Sequence, residues 1–423
     1  VHLSHAYVVS AYLGGMSMYN RQRGDTDDLG WIEDVWQDMA TGHLFHTYSI
    51  GQGERLREPA DYLLGANKQE TCATVEWLLF TERMYLATGD VKYAGQIENT
   101  VYNALLGAQS TDGMNWMYHT RMNADEKDWF AHLVRCCYWS GPRGIARLPR
   151  YVFRTDREGL RVDFYEPATA TGLEVGGTTV DVTLEGDYPA SGLVTIVLTP
   201  AEPADFALKL RLPQWAEGID LTVNGQPAGV PLTPGQYAAI DRTWQAGDTV
   251  SLTLGMTAFV VTRPSMTGIE GGAVQRGPEV LALDERDNPG LDLSLVTLYS
   301  DPQPMPAGTA GDRRLYSCKA LVNGSPDTVV MTPFADAGND GAAYRTVLPV
   351  SDLTTPQSVM GDFNGDGVLN GLDIAALKQA LVLGRDAYLD RTGVDADVIG
   401  DFNGDGTFNG LDIPGFKQAL AGG

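Results

Sequence analysis

The chain is short of cysteine, of basic charge and of long apolar runs, and each shortage excludes a class of protein. Four cysteines in 423 residues, Cys72, Cys136, Cys137 and Cys318, are too few for a disulfide-stapled scaffold of this length. Thirty Lys plus Arg stand against 54 Asp plus Glu, a formal charge of −24. Such a field repels phosphate backbones and anionic membrane surfaces, so neither nucleic acid nor membrane is an expected partner. No stretch approaches the roughly 18 consecutive apolar residues of a membrane-spanning helix. The first residue is Val1 rather than Met, and "VHLSHAYVVSAYLGG" lacks the basic start and small-residue cleavage site of a secretory signal. It reads as the inside of a helical domain, so the sequence is expected to begin partway through a larger protein.

What is present is a globular mixture, 43% hydrophobic and 20% charged, long enough for two to four domains at about 100–200 residues each. Residues 1–151 have helical periodicity. In "DTDDLGWIEDVWQDMATG" Leu29, Ile32, Trp36 and Met39 recur at intervals of three and four, with Asp27 and Asp28 at the start where the helix dipole favours acid. Glu70 to Ala87 reads as a second helix stopped by Gly89, and Ile97, Val101 and Leu105 mark a third after a short turn. Helix, turn, helix predicts stacked antiparallel pairs.

Beyond Tyr151 the period becomes two. Phe206, Leu208 and Leu210 alternate with Ala207, Lys209 and Arg211, Val250, Leu252 and Leu254 repeat the pattern, and Asn224-Gly225 is a hairpin signal because both turn positions need positive φ. A β-sandwich is predicted for residues 152–263, and a second β region, opening near "AVQRGPEVLALD", for 264–352. A polar linker, 353–358, leads to a duplication: "GDFNGDGVLNGLDIAALKQAL" from Gly361 and "GDFNGDGTFNGLDIPGFKQAL" from Gly400, 39 residues apart.

Each copy places oxygen donors where a hard cation needs them. Asp362, Asn364, Asp366, Asn370 and Asp373 occupy positions 1, 3, 5, 9 and 12 of a loop with Gly367 at position 6 and the carbonyl of Val368 at position 7. The second copy offers Asp401, Asn403, Asp405, Thr407, Asn409 and Asp412. Two in-phase copies predict two calcium ions. Ile374, Leu377, Leu381, Ile413 and Phe416 are expected to pack one copy on the other. Asp at position 12 and a helix only after each loop resemble a dockerin over residues 359–423. The resemblance implies a cohesin domain as partner, on a secreted or cell-surface-attached enzyme. The pair that reads the partner in many dockerins, often hydroxyl-bearing, is here Gly371-Leu372 and Gly410-Leu411.

Glu70, Cys72, Cys136 and Cys137 offer a carboxylate and three thiols, donors that zinc accepts in a tetrahedron. Spacing alone leaves two further readings open, buried cysteines packing as small hydrophobes and a strained vicinal disulfide. "GERLREPADYLLGANKQETCATVEW", "RCCYWSGPRGIARL", "FALKLRLPQWA", "VNGQPAG", "DRTWQAGDTVSLTLGM" and "AVQRGPEVLALD" occur in family order and resemble glycoside hydrolase family 127, the β-L-arabinofuranosidase family, from about His5 to Asp284. The resemblance implies a multidomain α and β protein with an (α/α)6 catalytic barrel, here its C-terminal half, followed by β-sandwich domains. It implies zinc on Glu70, Cys72, Cys136 and Cys137, Cys136 as nucleophile, Glu54 as general acid/base, and His5 and Tyr118 against the substrate. Where many members carry Pro-Pro-Asn after the paired cysteines, this chain has Tyr138-Trp139-Ser140. The function implied is retaining hydrolysis releasing L-arabinofuranose or a related sugar from plant glycans. Two alternatives stand beside it, a non-catalytic glycan-binding dockerin subunit and a zinc Lewis-acid hydrolase or lyase with structural cysteines.

Overall fold

The computed structural model describes residues 4–24, 29–56, 68–127, 129, 136–263, 271–355, 360–364, 369–392, 394 and 396–422. It divides into two compact units, Val1–Arg286 with Thr332–Val347, and Asp287–Met331 with Leu348–Gly423.

The first unit opens with helices α1 (Ala6–Arg23), α2 (Leu29–Gly42), α3 (Thr71–Thr88), α4 (Val91–Thr100), α5 (Cys136–Ile145) and α6 (Pro149–Val152). The apolar stripe predicted for α2 is real: Ile32, Trp36 and Met39 are buried, while Asp27 and Asp28 lie outside the described residues. Helix α3 is buried without a break from Thr71 to Glu82, as befits a helix with apolar residues all round. It packs against α1, α4 and α5 and stops where predicted, at Gly89 in the left-handed region with φ 71°. Helix α4 departs from expectation, because after Thr100 it widens into a π-helical turn, Val101–Leu105. Within that turn Asn103 Nδ2 donates to Pro278 O (2.9 Å) and Asn103 Oδ1 accepts the Val280 N–H (2.7 Å), so the widened turn serves as a clamp on a neighbouring hairpin.

Short ladders tie the loops between helices together. Strand β1 (Gln69–Glu70) pairs with β2 (His119–Thr120), and β3 (Asn123–Ala124) pairs with Tyr344–Arg345. The sandwich follows: β4 (Phe153–Thr155), β5 (Gly159–Val162), β6 (Ala168–Val175), β7 (Thr178–Gly186), β8 (Leu193–Pro200), β9 (Ala204–Arg211), β10 (Glu217–Val223), β11 (Gln226–Pro227), β12 (Tyr237–Trp244) and β13 (Asp248–Gly255). Its sheets run β11-β10-β13-β8-β7-β6 and β12-β9-β5-β4, and their inner side chains, among them Val182, Ile196, Leu208, Leu210 and Leu252, share one core. Asn224 and Gly225 turn β10 into β11 with φ of 51° and 76°. Strands β14 (Ala258–Thr262), β15 (Gly271–Arg276) and β16 (Glu279–Asp284) form a meander, and β16 is buried along its whole length.

The period-two reading of β9 fails at its last residue. Arg211, expected to point outward like Lys209, is 1% exposed and forms a buried ion pair with Glu98 of α4. Arg211 Nε also donates to Asp163 O (2.6 Å), and the Tyr188 hydroxyl donates to Glu98 Oε1 (2.7 Å). The strand ends against the helical layer rather than in water, and only pairing makes a buried guanidinium tolerable there.

In the second unit β17 (Val296–Leu298), β18 (Met305–Ala310) and β20 (Ser325–Pro333) all pair antiparallel with β19 (Arg313–Val322). The duplication forms α7 (Asp373–Leu383), α8 (Arg385–Thr392), α9 (Ala396–Gly400) and α10 (Ile413–Gly422). Leu377 and Phe416 are buried with Phe363, Tyr388 and Ile399, and Leu381 packs against them. Two expectations fail here. Ile374 faces solvent at 39% exposure, because the core takes the Leu377–Ala380 side of α7. The second loop is also preceded by a helix, since α9 ends at Gly400, one residue before Asp401.

Candidate active site

The β1–β2 ladder gathers the site. It sets Glu70 opposite His119, while the Thr71 N–H donates to Tyr118 O (3.1 Å) and the Thr71 hydroxyl to Met117 O (2.6 Å). Tyr118 is thereby fixed beside the start of α3. Glu54 arrives on a tight loop in which Gln52 bridges both Arg55 and Gln69 and the Gly53 N–H donates to Lys68 O (3.0 Å). Glu54 itself has φ 72°, a left-handed conformation that costs a non-glycine residue about 1–3 kcal/mol and is kept only where the surroundings enforce it.

Glu70 caps α3 with its side chain free of any capping bond, Cys72 lies in the first turn, and Cys136 and Cys137 open α5. One donor atom from each of the four lies within 4.8 Å of the others. Cys72 Sγ is 3.2 Å from Cys137 Sγ, Cys136 Sγ is 3.9 Å from Cys137 Sγ, and Cys137 Sγ is 4.0 Å from Glu70 Oε1. Metal bonds of about 2.0–2.3 Å give tetrahedral edges of about 3.3–3.8 Å, so the donor set fits a four-coordinate soft cation. Glu70 Oε2 is buried without a hydrogen-bond partner, which independently points to a missing positive group.

The electrostatics show the same strain. Burial, then the charges of Cys72 and Glu54, push the Glu70 carboxyl up to about 8. Cys72 drops to about 6, chiefly through the hydrogen bond it accepts from Cys137. That bond and burial hold Cys137 far above the usual thiol range, and burial raises Cys136. Groups this close cannot all ionise unless a cation enters.

The other sequence-derived residues are close by. The Tyr118 hydroxyl donates to Glu54 Oε1, and His5 Nε2 is 3.6 Å from Glu54 Oε2. Burial and the bond to Glu54 keep Tyr118 protonated. Ser140, singled out in the sequence only as part of Tyr138-Trp139-Ser140, has its Oγ 3.2 Å from Cys72 Sγ, and His119, which sequence reasoning passed over, has its ring edge-on to Tyr118 at 4.2 Å. Ser140 was findable, being one helical turn from Cys136 and Cys137 and so on their face. His119 carries no such periodic signal.

In the duplicated segment Asp366 and Val368 lie outside the described residues. The aspartate at position 12 is held alike in both copies. Asp373 accepts the N–H groups of Asn364 (3.0 Å) and Asn370 (2.8 Å), and Asp412 those of Asn403 (3.1 Å) and Asn409 (2.8 Å). Asp401 accepts N–H groups from Gly404, Asp405 and Gly406, and Asp405 the N–H and hydroxyl of Thr407.

A helical domain with a thiol–carboxylate cluster, a following β-sandwich and a duplicated acidic loop–helix module define a modular protein. Residues 2–150 match the model of the β-L-arabinofuranosidase GH127 catalytic domain, residues 159–256 that of the GH127 middle domain, and residues 360–421 that of the dockerin type I domain. The chain carries a GH127 catalytic domain, a GH127 middle domain and a type I dockerin. It is 29% identical over 312 residues to a non-reducing end β-L-arabinofuranosidase of Bifidobacterium longum subsp. longum, covering 68% of this chain and 46% of that protein. The chain therefore spans about half the length of that relative. Two solved structures share the fold. A GH127 β-L-arabinofuranosidase from Geobacillus stearothermophilus T6 has 23% identity and TM-score 0.70, covering 83% of this chain and 61% of that one. A GH127 β-arabinofuranosidase has 24% identity and TM-score 0.73, covering 83% and 60%. Among the described residues no helix is long and apolar enough to cross a membrane.

Proposed function

We propose that the chain is the catalytic and anchoring part of a secreted retaining glycoside hydrolase that releases L-arabinofuranose or a closely related sugar from plant polysaccharide or glycoprotein side chains. The observation that carries this reading is the convergence of Glu70, Cys72, Cys136 and Cys137 within 4.8 Å, with Glu54 held by Tyr118, whose backbone carbonyl bonds the first residue of α3. Zinc would be held by those four residues, and when bound it supplies the positive charge that keeps a thiol ionised at neutral pH.

The chain's own residues then divide the chemistry. The Cys136 sulfur bonds to the anomeric carbon as the glycosidic C–O bond breaks, and the Glu54 carboxylic acid gives its proton to the departing oxygen. In the second half Glu54, now a carboxylate, takes a proton from water. The water oxygen bonds to the anomeric carbon while the C–S bond breaks, restoring the thiolate and the acid. Two inversions give net retention, with sulfur in the place of the second carboxylate of most retaining glycosidases. Tyr118 orients the Glu54 carboxyl through its hydrogen bond, and His5 offers a ring nitrogen to a sugar hydroxyl on the same side.

The dockerin would bind two calcium ions through Asp362, Asn364, Asp366, Val368, Asn370 and Asp373, and through Asp401, Asn403, Asp405, Thr407, Asn409 and Asp412, and would attach the enzyme to a cohesin domain of a scaffold protein. The deciding experiment is mass spectrometry of the Glu54→Gln variant with an activated aryl L-arabinofuranoside. A sugar adduct on Cys136 is expected. An adduct elsewhere, or Cys136→Ser turning over at the wild-type rate, would refute the mechanism.

A further inference from the structure

Directly after the paired cysteines, the first turns of α5 present aromatic surface that no packing among the described residues covers. Trp139 is 71% exposed and Tyr138 40%, their rings edge to face at 5.9 Å and 84°. Fully exposed indole is costly in water, at about 25 cal/mol per Å² of apolar surface. The pair is nevertheless held in place. The Tyr138 hydroxyl donates to Met114 O (2.8 Å). Met114 sits on a turn closed by Ser110 N–H to Asn115 O (2.9 Å) and by the Asp112 carboxylate accepting the Met114 N–H (2.9 Å). Helix α5 is pinned beneath by Trp116, whose indole lies so close to Gly141 that a Cβ there would come within 2.1 Å. Helical geometry places Trp139 one turn beyond Cys136, flanking the exposed thiol, while Ser140 of the same turn touches Cys72.

We propose that Trp139, braced by Tyr138, is a stacking platform for a sugar ring adjoining the one attacked at Cys136, and so sets a preference for oligosaccharides over simple glycosides. The inference rests on the glycosidase reading and deepens it. A sugar ring has apolar C–H faces and a polar rim, and it matches a rigid, flat aromatic surface that is apolar in the middle and open to water at its edge. An exposed aromatic continuous with a candidate nucleophile fits that occupant.

The test uses the whole chain with Trp139→Ala and Trp139→Tyr against two substrates, an L-arabinofuranose disaccharide and the methyl L-arabinofuranoside. Trp139→Ala is expected to lower kcat/KM for the disaccharide about tenfold, through KM, and to leave the methyl glycoside within about twofold, with Trp139→Tyr recovering most of the loss. Equal losses on both substrates would make Trp139 a packing residue and overturn the proposal, as would no loss on either. Fluorescence titration with the disaccharide separates this from the parent reading. A quench that Trp139→Ala removes, in a chain that turns over neither substrate, keeps the platform and rejects the hydrolase. Absence of disaccharide binding to the wild-type chain overturns the platform.

Discussion

The two kinds of candidate metal site are built in opposite ways. Each dockerin loop offers its candidate donors within twelve consecutive residues, and in the second loop backbone N–H groups already lace Asp401 and Asp412 into place. The thiol centre joins Glu70 and Cys72 to Cys136 and Cys137 across more than sixty residues of chain, and depends on α3, α5 and the β1–β2 ladder being docked. A loop site is written in local spacing, whereas a centre of this second kind exists only after packing. The two should therefore respond to different perturbations.

The largest effect expected is at the thiol centre. A Cys72→Ser, Cys137→Ser double variant should lose about one equivalent of zinc, read by elemental analysis, and lower activity at least about a thousandfold, because the nucleophile loses the charge that ionises it. Its calcium response should be unchanged, and coupling between the two would break the contrast. Conversely, chelating calcium should melt the dockerin helices, seen as lost far-UV ellipticity and new proteolytic cuts within 359–423, with zinc content intact. Magnesium should restore little, since it demands a tighter octahedron. If the dockerin signal does not move on chelation, the loops are not calcium sites.

A third test attacks the packing on which only the thiol centre relies. Arg211→Met leaves the Glu98 carboxylate buried and unpaired, and should destabilise the first unit by about 3–5 kcal/mol, read from the thermal midpoint. The calcium-dependent transition should stay where it was. Gly141→Ala forces Trp116 off α5 and should cost about 1–3 kcal/mol, with zinc affinity falling alongside.

The smallest effect is a pH slope. Burial pushes the Lys127 amine down to about 7 from 10.5, among Phe334, Tyr344 and the carbonyl of Ala335 at 3.0 Å. The unfolded chain holds that proton up to about 10.5, so between about 7 and 10.5 the unfolded state binds more protons and stability rises with pH. Lys127→Met should flatten the slope, as thermal midpoints at pH 7 and pH 9 would show; an unchanged slope would remove Lys127 as its source.

Much of the architecture was legible because its causes are local. The stripe Ile32, Trp36, Met39, the stop at Gly89, the alternation through Leu208 and Leu210 and the Asn224-Gly225 turn each follow from the backbone period or from a φ that few residues adopt. The π-helical turn at Val101–Leu105 was not legible, because it answers to Asn103 clamping a hairpin some 175 residues later. Arg211 and Lys209 are indistinguishable by period, and only the layer packed against the strand end decides that one is buried and the other is not.

What the sequence by itself determined were the periodic helices and strands, the duplicated loops and, through their motifs, the family resemblance with its zinc and catalytic candidates. What only the tertiary structure decided was that Glu70, Cys72, Cys136 and Cys137 meet, that Glu54 is held at φ 72° against Tyr118 and His5, and that Trp139, one turn after Cys136, is exposed. The physical reason is range. Helix periods, caps and turns are set within a few residues by backbone sterics, whereas a convergent donor set, a strained carboxylate and an exposed indole are properties of surfaces brought together, and those appear only once the chain has folded.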